Sequence, residues 1–119
     1  MTWPPRPEDR NRVALSEQEF RLRSDEALEQ ARRDLMDLAD EAGFEVELQN
    51  GVLNLVFEEP RETKFVVSPN TPVRQVWVSA MGKSYKLPWS PELGVFAIDR
   101  EPLGVLLGRL ARTFLDQPA

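Results

Sequence analysis

The sequence contains no cysteine and no histidine. Their absence removes disulfide frameworks, thiol chemistry, zinc fingers, Cys-ligated clusters and any His-based triad, so metal chemistry here must use oxygen ligands. No window approaches the roughly 18 consecutive apolar residues of a membrane span, and the first residues lack the apolar run of a signal peptide. A soluble, unexported, cytoplasmic protein with no membrane partner is therefore expected. Positive charge is also in deficit, with 15 Lys and Arg against 20 Asp and Glu and a net charge of -5. Phosphate recognition relies on basic patches and counterion release, so nucleic acid is not an expected partner. At 119 residues and 41% hydrophobic content, the chain suits one compact core rather than two domains.

Residues 1–15 combine Trp3, Pro4, Pro5 and Pro7 with Arg6, Arg10 and Arg12 and show no apolar period, which predicts a flexible tail. Residues 16–119 are expected to form the single domain. Ser16 followed by Glu19 fits a capping box, so a helix is predicted from there to about Glu41, with Gly43 ending it. From Phe44 the period changes to two, and Asn50-Gly51 supplies a hairpin turn into a second strand, Val52 to Glu58. A third strand is expected at Lys64 to Ser68, a turn at Ser68 to Pro72, and a fourth strand at Val73 to Met81. Gly82 and Lys83 turn into a fifth segment interrupted by Pro88, and Val95 to Asp99 reads as a sixth strand. Pro102 suits the first turn of a last helix, along which Leu103, Leu106, Leu107, Leu110 and Phe114 recur at helical spacing. The glycines Gly104 and Gly108 weaken that helix and are expected to let it approach a neighbour closely. The expected fold class is α+β: a two-layer sandwich, an antiparallel sheet of about six strands with both helices on one face.

The candidate functional residues are mostly acids. Asp25, Glu26, Glu29, Asp37 and Asp40 fall, at about 100° per residue, within an arc of roughly 120° opposite Phe20, Ala27, Leu28, Ala31, Leu35 and Leu38. Glu41, Glu45 and Glu47 carry the charge onward into the first strand. Carboxylates three or four residues apart on a helix place their Cβ atoms about 5–6 Å apart, close enough to share a hard cation with little discrimination. The plain alternative is a solvated helix face. In the fourth strand, Val76, Val78 and Ala80 share one face and Gln75, Trp77 and Ser79 the other, so Trp77 is expected on the less buried side. There it is either covered by a long neighbouring side chain or presented to a partner. Paired carboxylates also invite a hydrolase reading, but an outward helix face lacks the cleft that raises one pKa, and the chain is not read as an enzyme.

The run Asn70-Thr71-Pro72-Val73-Arg74-Gln75-Val76-Trp77-Val78-Ser79 resembles the strand motif of the frataxin family, in its bacterial form. Gly51-Val52-Leu53, Leu38-Ala39-Asp40 and Tyr85 fit the same pattern, and the resemblance spans about Phe20 to Leu115. It implies an α-β sandwich associated with iron-sulfur cluster assembly: an accessory protein that holds iron (Fe²⁺ or Fe³⁺) weakly at its surface, where other divalent cations compete. The implied partners are a cysteine desulfurase and an iron-sulfur scaffold protein. The implied metal positions are Asp25, Glu26, Glu29, Asp37, Asp40, Glu41, Glu45 and Glu47, and the implied partner surface is Asn70, Arg74, Gln75 and Trp77. A monomer is expected, with iron-dependent oligomers as the alternative, and weak ferroxidase activity is at most a side reaction. Arg32, Arg33 and Met36 depart from the pattern by interrupting the acidic helix face, and Ser84 stands where the family tends to carry a basic residue. The competing reading is a metal-free adaptor whose acidic surface binds a basic protein.

Overall fold

Ser16 caps the first helix as its spacing to Glu19 predicts. In the computed structural model, which describes residues 15–118, the Glu19 amide donates to Ser16 Oγ at 3.1 Å and the Ser16 amide reaches Glu19 Oε1 at 3.5 Å. Such a cap supplies about 1 kcal/mol. The helix, α1, runs over Glu17–Ala42 and ends at Gly43, whose φ of 83° gives the left-handed turn that a Cβ would disfavour. Residues 1–14 of the expected tail lie outside the described residues. Leu15 packs against the core, and its carbonyl accepts from Arg74 Nε at 3.3 Å.

A sheet follows in chain order: β1 (Glu45–Gln49), β2 (Val52–Phe57), β3 (Thr63–Asn70), β4 (Gln75–Ala80), β5 (Lys83–Ser90), β6 (Val95–Ile98) and β7 (Glu101–Pro102). All neighbours pair antiparallel, in the order β1-β2-β3-β4-β5-β6-β7, so the meander is complete. Helix α2 (Leu103–Leu115) closes the domain. No helix of the described residues is long and apolar enough to cross a membrane.

The sheet has seven strands rather than about six, because Asp99 and Arg100, with φ of 50° and 65°, turn the chain tightly into β7. Asp tolerates positive φ but Arg seldom adopts it, so Asp99-Arg100 without a glycine is a weak hairpin signal. Pro102 consequently closes β7 and caps α2 in an extended conformation instead of standing in its first turn. The turn expected at Ser68 to Pro72 also shifts. Pro69 and Asn70 belong to β3, opposite Val76 and Gln75, and the chain bends at a 3-10 turn, Thr71–Val73, followed by Arg74 at φ 56°. Proline is tolerated there because the register with β2 ends at Val67, leaving that edge of β3 open. Val73 therefore sits in the turn, half exposed, and β4 begins at Gln75.

Both helices cover one face of the sheet. Phe20, Leu28, Ala31 and Leu35 of α1 and Leu106, Leu107, Leu110 and Phe114 of α2 are buried in one cluster with Leu53, Leu55, Phe57, Phe65, Val67, Val76, Val78, Leu87 and Phe96. Phe57 is central, its ring 4.6 Å from Phe44, 4.9 Å from Phe65 and 4.8 Å from Phe114. Each such side chain contributes about 1.5–3 kcal/mol of hydrophobic stabilisation, which makes this layer the source of the domain's stability. Among the described residues no helix covers the opposite face of the sheet.

Candidate functional surfaces

Two surfaces carry the predicted residues, and the fold distributes them differently from the sequence reading. On α1, Asp25, Glu26, Asp37, Asp40 and Glu41 are exposed and Glu29 is half-buried, all on the side away from the core. Glu45 and Glu47 do not extend that face. They alternate with Val46 and Leu48, which pack toward the core, so their side chains leave the sheet on the side away from α1 and α2, opposite Val56 and Asn54 of β2. The eight acids therefore belong to two faces.

The α1 face is also interleaved with guanidinium groups. Arg32 grips Glu29 with a fork, Nη2 to Oε1 at 2.5 Å and Nε to Oε2 at 3.2 Å, and Arg33 Nη1 adds a contact to Oε1 at 3.3 Å. Arg23 pairs with Glu26 at 3.3 Å. The hydrogen bond from Arg32 holds the Glu29 carboxyl below the usual range, helped by the charges of both arginines and opposed by desolvation. Arg32 is correspondingly raised, mainly by its hydrogen bond to Glu29. Among the described residues Asp25, Asp37, Asp40 and Glu41 have no ion-pair partner within 4.0 Å. No three acidic side chains of the described residues converge on a point that would hold a metal ion. The donor chemistry suits a hard cation held loosely by neighbouring carboxylates and offers no chelate.

The second surface is the sheet face turned away from α1 and α2. Trp77 stands near its middle, half-buried, between Ser68 of β3 and Lys86 of β5. Its indole N–H donates to Gln75 Oε1 at 2.9 Å, and Lys86 Nζ lies 4.9 Å from the ring centroid, a cation-π contact. The long side chain expected over the ring is thus Lys86, yet the ring keeps part of its surface in solvent. Asn70 is paired with Gln75 at the end of the same strands. Arg74 plays a different part: its guanidinium bonds the carbonyls of Thr71 and Leu15, tying the start of the domain to the β3–β4 turn. Val52, Val56 and Val66 are half-buried on this face and add apolar area that the sequence reading passed over. Their signal was the alternation itself, because inward Leu53, Leu55 and Phe57 leave the intervening residues outward.

An open recess of about 590 Å³ lies beside α1, between it and the β5–β6 hairpin, with Trp89, Val95 and Phe96 at its base. Trp89 packs edge-on to Phe96 at 5.2 Å, and the Arg23 guanidinium stands 5.7 Å from its ring.

Against known proteins, the family model described as "Frataxin-like domain" matches residues 13–112. The chain is similar to an "Iron-sulfur cluster assembly protein CyaY" of Pseudomonas paraeruginosa, 29% identical over 92 residues, which cover 74% of this chain and 83% of that protein. A protein of the same description from Pseudomonas fluorescens is 28% identical over 106 residues, covering 86% of this chain and 91% of its own length. Among solved structures, the frataxin of Psychromonas ingrahamii superposes with a TM-score of 0.57 at 20% identity, over 84% of this chain and 90% of that one. That superposition supports the helix, sheet, helix architecture.

Proposed function

Because the chain belongs to the frataxin-like family, we propose that it serves iron-sulfur cluster assembly as a non-catalytic accessory protein in the cytoplasm, docking on a cysteine desulfurase and its scaffold. The observation that carries this reading is the sheet face turned away from α1 and α2, with Trp77 near its middle, bordered by Glu45 and Glu47. A half-buried aromatic held in a fixed orientation among half-buried valines suits the centre of a protein interface. The exposed acids of α1 supply a second, longer-range attraction for a basic partner surface, one that weakens with salt. Iron, Fe²⁺ or Fe³⁺, is carried as a weakly held cargo by Asp25, Asp37, Asp40 and Glu41 rather than by a closed site. The protein acts as a monomer.

The test is binding of a purified bacterial cysteine desulfurase, with and without its scaffold protein, measured by biolayer interferometry. Trp77→Ala and the double variant Asp37→Lys/Asp40→Lys are each expected to weaken binding at least about tenfold. Unchanged affinity in both variants would count decisively against the proposal. A metal-free adaptor is the second reading, favoured by one specific feature: Glu26 and Glu29 already have guanidinium partners. It expects the same docking data with no dependence on iron.

A further inference from the structure

Glu29 lies in the middle of α1, and its carboxylate has both oxygens engaged by a cation that belongs to the protein. Arg32 and Glu29 form the least exposed ion pair of α1 among the described residues, with 34% and 36% of their side chains accessible. The corresponding values are 64% and 58% for Arg21–Glu17 and 49% and 62% for Arg23–Glu26. A half-buried, planar fork loses less side-chain entropy per bond than a lysine, so this bidentate contact is favoured over the single contacts of its neighbours. Its direction is also favourable, with the acid N-terminal to the base on the same helix face. Arg33 adds a second positive charge at 3.3 Å from the same oxygen and is itself fixed by a bond to Gln30 Oε1 at 2.9 Å.

We propose that Arg32, seconded by Arg33, is an internal counter-ion that occupies the cation position at Glu29 and divides the acidic face of α1 into two separate patches. One patch is Asp25 with the loosely paired Glu26; the other is Asp37, Asp40 and Glu41. A divalent ion reaching the middle of the helix meets two guanidinium charges beside Glu29 and competes with a bidentate contact for its oxygens. The acids flanking the pair face no such competition. The inference rests on the proposed cation-carrying role of α1 for its meaning, although the exclusion at Glu29 is measurable by itself.

The experiment is a titration of the ¹⁵N-labelled protein with Mn²⁺ alone, following paramagnetic broadening of backbone and carboxylate-adjacent signals. In the unaltered protein, signals around Asp37, Asp40 and Glu41 are expected to broaden first, while those of Glu29 persist. In Arg32→Gln/Arg33→Gln, Glu29 should broaden at an Mn²⁺ concentration at least about fivefold lower. Adding Glu29→Gln to that variant should abolish the gain, and Arg32→Lys/Arg33→Lys, which keeps charge but loses the fork, should fall between. Far-UV circular dichroism checks that each variant is folded; all three positions are solvent-accessible. Equal broadening of Glu29 in the unaltered and Gln-substituted proteins, including no broadening in either, overturns the proposal. Silence at Asp37, Asp40 and Glu41 while Glu29 responds in the Gln variant instead removes the cation-carrying role and leaves the counter-ion in place.

Discussion

Asp34 on α1 and Gly104 at the start of α2 meet so closely that a Cβ on Gly104 would lie 3.2 Å from Asp34 Oδ2. This contact brings the two helices together at one end, and it gives Gly104 a structural reason. The carboxylate also lies beside the N-terminus of α2, whose N-cap, Pro102, contributes no side-chain cap. Negative charge is favourable there.

Two opposed effects follow for Gly104→Ala. Replacing a helical glycine by alanine gains about 0.5–1 kcal/mol. The new methyl pushes Asp34 by a few tenths of an ångström and strains its bond from Gln30 Nε2, now 2.7 Å. Urea unfolding should show a net change within about 0.5 kcal/mol for alanine, whereas Gly104→Leu, which must displace Asp34 and its bond from Gln30 altogether, should lose about 1–3 kcal/mol. A leucine variant as stable as the parent would show that the helices do not need this approach.

Acid should selectively remove the clamp between β7 and α2. Arg109 Nε and Nη2 hold the two oxygens of Glu101 at 2.8 and 2.9 Å, and this hydrogen bonding, aided by charge and opposed by desolvation, lowers the Glu101 pKa. A depressed carboxylate pKa contributes stability that is present above the unfolded value, about 4.3, and is lost as pH falls through the lower folded value. Arg109→Gln should therefore lower the thermal midpoint at pH 7, and the difference from the parent should shrink below about pH 4. A difference that is constant across pH would assign the effect to packing.

Trp77→Ala should separate stability from docking. The ring is half-buried and leans on Lys86 and Gln75, so its loss should cost only about 1–2 kcal/mol in urea unfolding. The fall in partner affinity should be larger, at least about tenfold, as for an interface anchor. A variant that unfolds at room temperature would place Trp77 in the core.

Salt should stabilise the fold through α1. Among the described residues Asp37, Asp40 and Glu41 lack ion-pair partners and are helical neighbours, so they repel one another. Raising NaCl from about 20 to about 200 mM, or adding Mg²⁺, should raise the thermal midpoint by a few degrees. Asp37→Asn/Asp40→Asn should be more stable than the parent at low salt and respond less. If the midpoint of both proteins is flat with salt, the repulsion is negligible.

The order of elements was legible because each signal is local. The capping box of Ser16 and Glu19, the alternation through Leu53, Leu55 and Phe57, and the heptad-like leucines after Pro102 specify helix, strands and helix within short windows. The partners of Glu29 could have been read as well, since Arg32 and Arg33 lie three and four residues on, the spacing at which helical side chains meet, although the sequence marked them only as interruptions of the acidic face. The placement of Glu45 and Glu47 could have been read from the same period-two rule that buried Val46 and Leu48. Treating charge along the chain as one surface hid it.

Contacts between distant segments were not legible. Lys86 covers Trp77 because the β4–β5 register sets them opposite each other. Arg74 reaches Leu15 across 59 positions, and Asp34 meets Gly104 only once both helices lie on the sheet. The sequence by itself determined the elements other than β7, their inward faces and the sign of the surface, because periodicity and composition are properties of neighbouring residues. Tertiary structure alone decided which side chains hold Trp77 and close the helix pair, because register and packing depend on groups the chain brings together only when folded.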